Sequence, residues 1–137
     1  MMRQLFNLSA FAALACGLIL TMNLNAETEK PKDDEARLLR HVVLFKFKAD
    51  ATKEQLQEIV DEFGKLPEKI DAIEKYEAGL NNSPEGRSKG FTHCFLVTFK
   101  DEKGRDEYLP HAAHQEFVQK VIPILDDVLV VDYWTRE

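Results

Sequence analysis

A chain of 137 residues has room for one domain, and its length gives no reason to expect a second. It carries 18 basic against 24 acidic residues, a formal charge of −6. No run of Lys and Arg is present that could track a phosphate backbone, which excludes nucleic acid as a partner.

The first 26 residues differ in kind from the rest. Arg3 supplies a positive start, Leu5 to Met22 is apolar and uncharged, and Ala26 stands just before Glu27-Thr28-Glu29-Lys30. This is the layout of a secretory signal peptide cut near Ala26, and it predicts an exported protein, periplasmic or extracellular. Left uncleaved, the same run of about 18 residues is long enough to span a bilayer, and only then is a membrane contact expected. Lipidation of Cys16 is disfavoured because Gly17-Leu18-Ile19-Leu20 continues the apolar run. Cleavage removes one cation and no anion, leaving a charge of −7. Cys94 is then the one remaining cysteine, so the domain must hold together by its core, by self-association, or by both.

Residues 27–36 (ETEKPKDDEA) are charged and have almost nothing to bury, as expected of a solvated linker, and the folded domain is expected over 37–137. Leu38 to Lys48 is rich in β-branched and aromatic residues and predicts a strand. Thr52-Lys53-Glu54-Gln55 is a capping box opening a helix whose buried stripe is Leu56, Ile59, Val60 and Phe63, with Gly64 and Pro67 as stop signals. A turn near Glu68–Ala72 leads to a second strand, about Ile73 to Leu80, and then to a polar loop through Pro84 and Gly86.

Phe91 to Phe99 alternates cleanly, with Phe91, His93, Phe95, Val97 and Phe99 on one face and Thr92, Cys94, Leu96 and Thr98 on the other. Asp101 to Tyr108 predicts a short helix broken at Pro110, its charges forming a solvated face. A longer helix from about Ala112 to Leu125 follows, its stripe made of His114, Phe117, Val118, Val121, Ile122 and Leu125. Asp126 to Trp134 is the closing strand.

The order β-α-β-β-α-β is the α+β, ferredoxin-like arrangement, in which helices cover one face of a four-stranded sheet. Strands apolar on both faces need a second cover, and a partner's sheet supplies it most simply. The expectation is a homodimer closed sheet to sheet.

Four stretches carry a resemblance to a known family. Arg40-His41-Val42-Val43-Leu44-Phe45-Lys46-Phe47, Phe91-Thr92-His93, Tyr108-Leu109-Pro110-His111-Ala112-Ala113-His114 and Val131-Asp132-Tyr133 together resemble the stress-responsive dimeric α+β barrel (Dabb) family. The resemblance spans residues 38–134 and implies the same dimeric α+β barrel. The family's polyketide cyclases act on a carbonyl-containing substrate. By position, the resemblance implies that Tyr108, His114 and Asp132 are catalytic and that His41 and His93 line the substrate pocket.

The residues themselves support a compatible chemistry. His114 lies on the apolar stripe of its helix and points inward, and imidazole is the side chain most readily poised to exchange a proton near neutral pH. Asp132 is expected to orient His114, and Tyr108 to donate a hydrogen bond to a carbonyl oxygen gaining negative charge. This suits proton abstraction next to a carbonyl in a small apolar ligand, a lyase or cyclase step needing no organic cofactor. Export removes coenzyme A thioesters from the available substrates. The plainer alternative stays open: His114 and Asp132 form a buried pair that only stitches helix to strand, in a dimer that binds a small ligand or serves as a scaffold. Four imidazoles could ligate a metal, but no HExxH pattern is present and His111 after Pro110 reads as a helix-start residue, so no metal site is expected.

Overall fold

The computed structural model describes residues 37–136. The expected signal peptide (1–26) and the whole of the expected linker (27–36) lie outside the described residues. No helix among those described is long and apolar enough to cross a membrane.

Strand β1 (Leu39–Phe47) leads through Thr52 into α1 (Lys53–Gly64). The capping box forms as read: the Gln55 amide donates to Thr52 Oγ1 at 3.3 Å, and the Thr52 amide donates to Gln55 Oε1 at 2.9 Å. Pro67 does not end the helical segment. It occupies the first turn of a four-residue helix, α2 (Leu66–Lys69), where its missing N–H costs nothing. Strand β2 (Lys75–Leu80) begins two residues later than its apolar pattern suggests, because Ile73 is spent as a core plug.

Strand β3 (His93–Phe99), helix α3 (Glu102–Tyr108) and helix α4 (Ala112–Val121) follow. Helix α4 stops short of Leu125 because Pro123 cannot continue it, and Ile122–Ile124 tightens into a 3₁₀ turn before β4 (Leu125–Trp134). In the loop before β3, Gly90 has φ +88°, and a Cβ there would lie 2.8 Å from the Lys46 side chain. Only glycine meets both demands.

The sheet order is β2-β3-β1-β4, all antiparallel, which is the ferredoxin-like topology. Pairing of β1 with β4 sets His41 opposite Asp132, Val43 opposite Val130 and Phe45 opposite Val128. These residues face the helices together with Phe95, Val97 and Phe99 of β3. The core is built on aromatic contacts: Phe63 of α1 stacks on Phe95 at 4.5 Å between ring centroids and meets Phe117 of α4 at 4.6 Å. An ion-pair bridge ties the two long helices, with Glu62 accepting from Lys120 at 2.7 Å and Lys65 at 2.8 Å.

The opposite sheet face carries no helix. Val42, Leu44 and Leu96 lie there, with Leu129, Val131 and Tyr133 on β4 left 40%, 48% and 47% exposed. An apolar face of this extent matches the expectation that a second layer covers it.

Candidate active site

The chain between α3 and α4 is built to present side chains inward. Asp101 caps α3, accepting from the Gly104 amide at 3.0 Å, and the helix ends with Tyr108, which is fully buried. Pro110 breaks the chain, and His111 starts α4 by accepting the Ala113 amide on Nδ1 at 3.2 Å, the helix-start position expected for it. Because Ala113 is satisfied in this way, the Leu109 carbonyl is free for side chains. It accepts from His114 Nδ1 at 2.9 Å and from Gln115 Nε2 at 2.7 Å.

That bond assigns the His114 tautomer: Nδ1 carries the proton, and the Nε2 lone pair is left over. The ring lies 4.2 Å from the Tyr108 ring, centroid to centroid. Burial pushes the His114 pKa down; the Leu109 carbonyl opposes this, and the neighbouring His41 and His111 imidazoles add to it. Burial, reinforced by Tyr76, pushes the Tyr108 phenol well above its ordinary value, so it remains a protonated donor.

His41 reaches the same place from β1. It is 5% exposed, sits edge-on to Tyr108 at 5.8 Å, and its Nδ1 lies 2.6 Å from Asp132 Oδ1. The expectation that Asp132 orients His114 is therefore corrected. The antiparallel register puts the carboxylate directly across from His41, and His114 takes a backbone carbonyl instead. The other carboxylate oxygen, Oδ2, accepts from Arg105 Nη1 of α3 at 3.1 Å. Arg105 was not singled out from the sequence, where it falls in a charged run. Its spacing of three from Tyr108 on one helix was the available signal, since such residues share a face.

These groups line one cavity of about 430 Å³ between α4 and the sheet. Its polar end holds His41, Tyr108, His114 and Asp132, and its remainder is apolar, with Phe45, Phe117, Val121 and Leu125 among its walls. It opens along the β4 edge, where Ile122, Val128 and Val130 are about half exposed. The size and the mix of apolar wall with few polar groups are those of a small-molecule site.

His93 is not part of this constellation, which corrects its assignment as a pocket residue beside His114. It stands at the start of β3, four residues along the sheet from the row of His41, packed edge-on against Phe47 at 5.0 Å and bonded through Nδ1 to Thr92 Oγ1 at 2.8 Å. Burial lowers its pKa. It borders instead a larger hollow of about 730 Å³, which runs over the uncovered sheet face from Leu44, Leu96 and Leu129 to the loop at Arg87–Lys89. That hollow lies over Gly79, where an added Cβ would meet nothing within 4 Å, on a face without helices, and it lacks the paired polar groups of the smaller cavity. No group of three or more metal-ligating side chains occurs among the described residues.

The comparisons with known proteins agree on the fold. A Stress-response A/B barrel domain-containing protein, HS1, of Arabidopsis thaliana is 34% identical over 95 residues, covering 69% of this chain and 87% of that protein. Olivetolic acid cyclase of Cannabis sativa is 26% identical over 99 residues, covering 72% and 98%. Among solved structures, the hydroxynitrile lyase from Passiflora edulis superposes with a TM-score of 0.69 at 24% identity, over 73% of this chain and 94% of the lyase. A protein from Thermobifida fusca described as dimeric and ferredoxin-like superposes at 0.62 with 22% identity, over 71% and 90%. The family model of the Stress responsive A/B Barrel Domain matches residues 39–135, the whole sheet with all its helices, and the chain belongs to that family, Dabb.

Proposed function

We propose that this domain is a cofactor-independent enzyme of the lyase or cyclase kind, abstracting a proton next to a carbonyl in a small, largely apolar substrate. The observation that carries this reading is the pairing of His114 and Tyr108, 4.2 Å apart between ring centroids, at the polar end of an otherwise apolar cavity. His114 stays neutral near pH 7 because burial opposes its protonation, and its Nε2 lone pair is free to take a proton. Tyr108 remains a donor and stabilises the oxygen as the carbonyl becomes an enolate. His41, held by Asp132, offers a second polar group on the same wall. Olivetolic acid cyclase, a relative by sequence, is by its name a cyclase, which supports the reaction class.

Two further parts belong to the proposal. The leader at residues 1–26 supports export with cleavage near Ala26, checked by N-terminal sequencing of the processed protein. The uncovered apolar sheet face supports a homodimer, as do solved neighbours described as dimeric. The second reading is a non-enzymatic dimer that binds a small ligand. It is favoured by one observation: the carboxylate backs His41 and leaves His114 without an acidic partner.

The test is a thermal-shift titration with 2-octanone, a methyl ketone with an apolar tail. The wild type is expected to gain stability with concentration, as any ligand of the folded state requires, and His114→Ala to gain much less. No shift in the wild type at millimolar ketone would remove the support for a carbonyl-binding cavity.

A further inference from the structure

Resting on the proton-transfer reading of the cavity, we infer that Arg105 is a positioning residue, a guanidinium clamp that commits Asp132 to His41 and so fixes the tautomer that His41 presents at the site. Three groups from three elements form a relay. Arg105 Nη1 of α3 donates to Asp132 Oδ2 of β4 at 3.1 Å, and Asp132 Oδ1 meets His41 Nδ1 of β1 at 2.6 Å. The two carboxylate oxygens are thus divided between two partners, and neither is left to choose between them.

The division matters because Asp132 stands on an edge strand with its side chain 28% exposed. A carboxylate so placed can rotate toward water, and His41, 6% exposed in its side chain, would then lose the acceptor for Nδ1–H. Arg105 blocks that rotation. It is only 24% exposed, and a guanidinium is planar and pre-organised for carboxylates, so it fixes the orientation of its acceptor where an ammonium would not. Its contacts to Asp106, at 3.4 Å, are longer, so the Asp132 bond is the stronger restraint.

With Nδ1 bonded to the carboxylate, His41 Nε2 is the atom left for the cavity. The groups facing His41 are Asp132 from β4, Tyr108 and the Arg105 charge from α3, and His114 from α4. Arg105 is the cation among these that carries charge at every working pH, so its hold on Asp132 does not depend on the state of the histidines. Removing it therefore loosens the tautomer, because the carboxylate is then free to turn from His41 toward water.

The experiment reads the histidine ring nitrogens by ¹⁵N NMR across a pH series in the wild type, Arg105→Met, Arg105→Lys and Asp132→Asn. The wild type should show His41 as one tautomer, protonated at Nδ1. Arg105→Met should show averaging between tautomers, with Arg105→Lys intermediate and Asp132→Asn losing the preference. Unchanged His41 signals in Arg105→Met, with Asp132→Asn altered, would overturn the clamp. Should Arg105→Met fail to fold by circular dichroism, Arg105→Lys decides alone, and wild-type ring signals in it would overturn the guanidinium requirement. Ketone turnover separates this claim from the functional one. If the reading holds, Arg105→Met slows turnover about 10- to 100-fold, the range for partners that orient an imidazole. A wild type without turnover but with the tautomer effect intact refutes the reaction and not the clamp.

Discussion

Replacing Leu129 by Gln and Val131 by Thr on the uncovered sheet face should dissociate the protein into folded monomers. Both side chains face away from the helices and are 40% and 48% exposed in the single copy, so roughly half of each remains to be covered by a partner. Full burial of such a side chain is worth about 1.5–3 kcal/mol, so covering the remaining half gives about 1 kcal/mol. A two-fold interface uses each position twice, which brings the loss to about 4 kcal/mol for the pair, before the desolvation of two new polar groups. At about 1.4 kcal/mol per decade, the dimer should weaken by at least about a thousandfold. Sedimentation equilibrium over about 1–100 µM is the assay, with circular dichroism to show that the sheet survives. A double variant that dimerises as the wild type does, or a monomeric wild type, would refute the sheet-to-sheet argument.

Other expectations follow from the same packing. The Tyr76 hydroxyl is buried without a hydrogen-bond partner among the described residues, and its pKa is pushed up to about 12 by burial. Tyr76→Phe should therefore be neutral or stabilising by about 1 kcal/mol in urea denaturation. It should also reduce the loss of stability between pH 10 and about 12, since a raised phenol pKa favours the fold only while the phenol stays protonated. His93 and His114 have lowered pKa values, so the unfolded chain takes up their protons first as acid is added. Their contribution is complete above pH 6.5 and is lost below it; Tm should be level between about pH 7 and 9 and fall beneath 6.5, with a shallower fall in a double Gln variant. Phe63→Ala empties the centre of the aromatic cluster and should cost about 3–5 kcal/mol in chemical denaturation. A loss under 1 kcal/mol would mean the cluster is not the core it is taken to be.

The fold was legible because each element announces itself locally. The Thr52–Gln55 capping box, the alternation from Phe91 to Phe99 and the Pro110 break are all written within a few residues of where they act. Half of the site was legible: His114 follows from its place on a helical stripe, and Tyr108 from the family resemblance of the Tyr108–His114 stretch. What could not be read was pairing across the sheet. Asp132 meets His41 because β1 and β4 run antiparallel in one particular register, and a slip by one residue would turn the carboxylate to the other face. His93 misled for a related reason. It shares the helix-facing side of β3 with Phe95, yet it lies at the strand's start, beyond the reach of α4. Arg105 was hidden among charges whose solvated role is the ordinary one, and only the geometry of its long side chain singles it out.

Proton removal beside a carbonyl is the central step of the proposed reaction, and deuterium exchange reads that step directly. Exchange of the protons next to the carbonyl of 2-octanone in D₂O, followed by proton NMR at neutral pD, should be accelerated by the wild type. His114→Ala should lose about 10²- to 10⁴-fold of that acceleration, the usual share of a positioned general base. A wild-type rate no faster than buffer, or one that His114→Ala leaves intact, would contradict it.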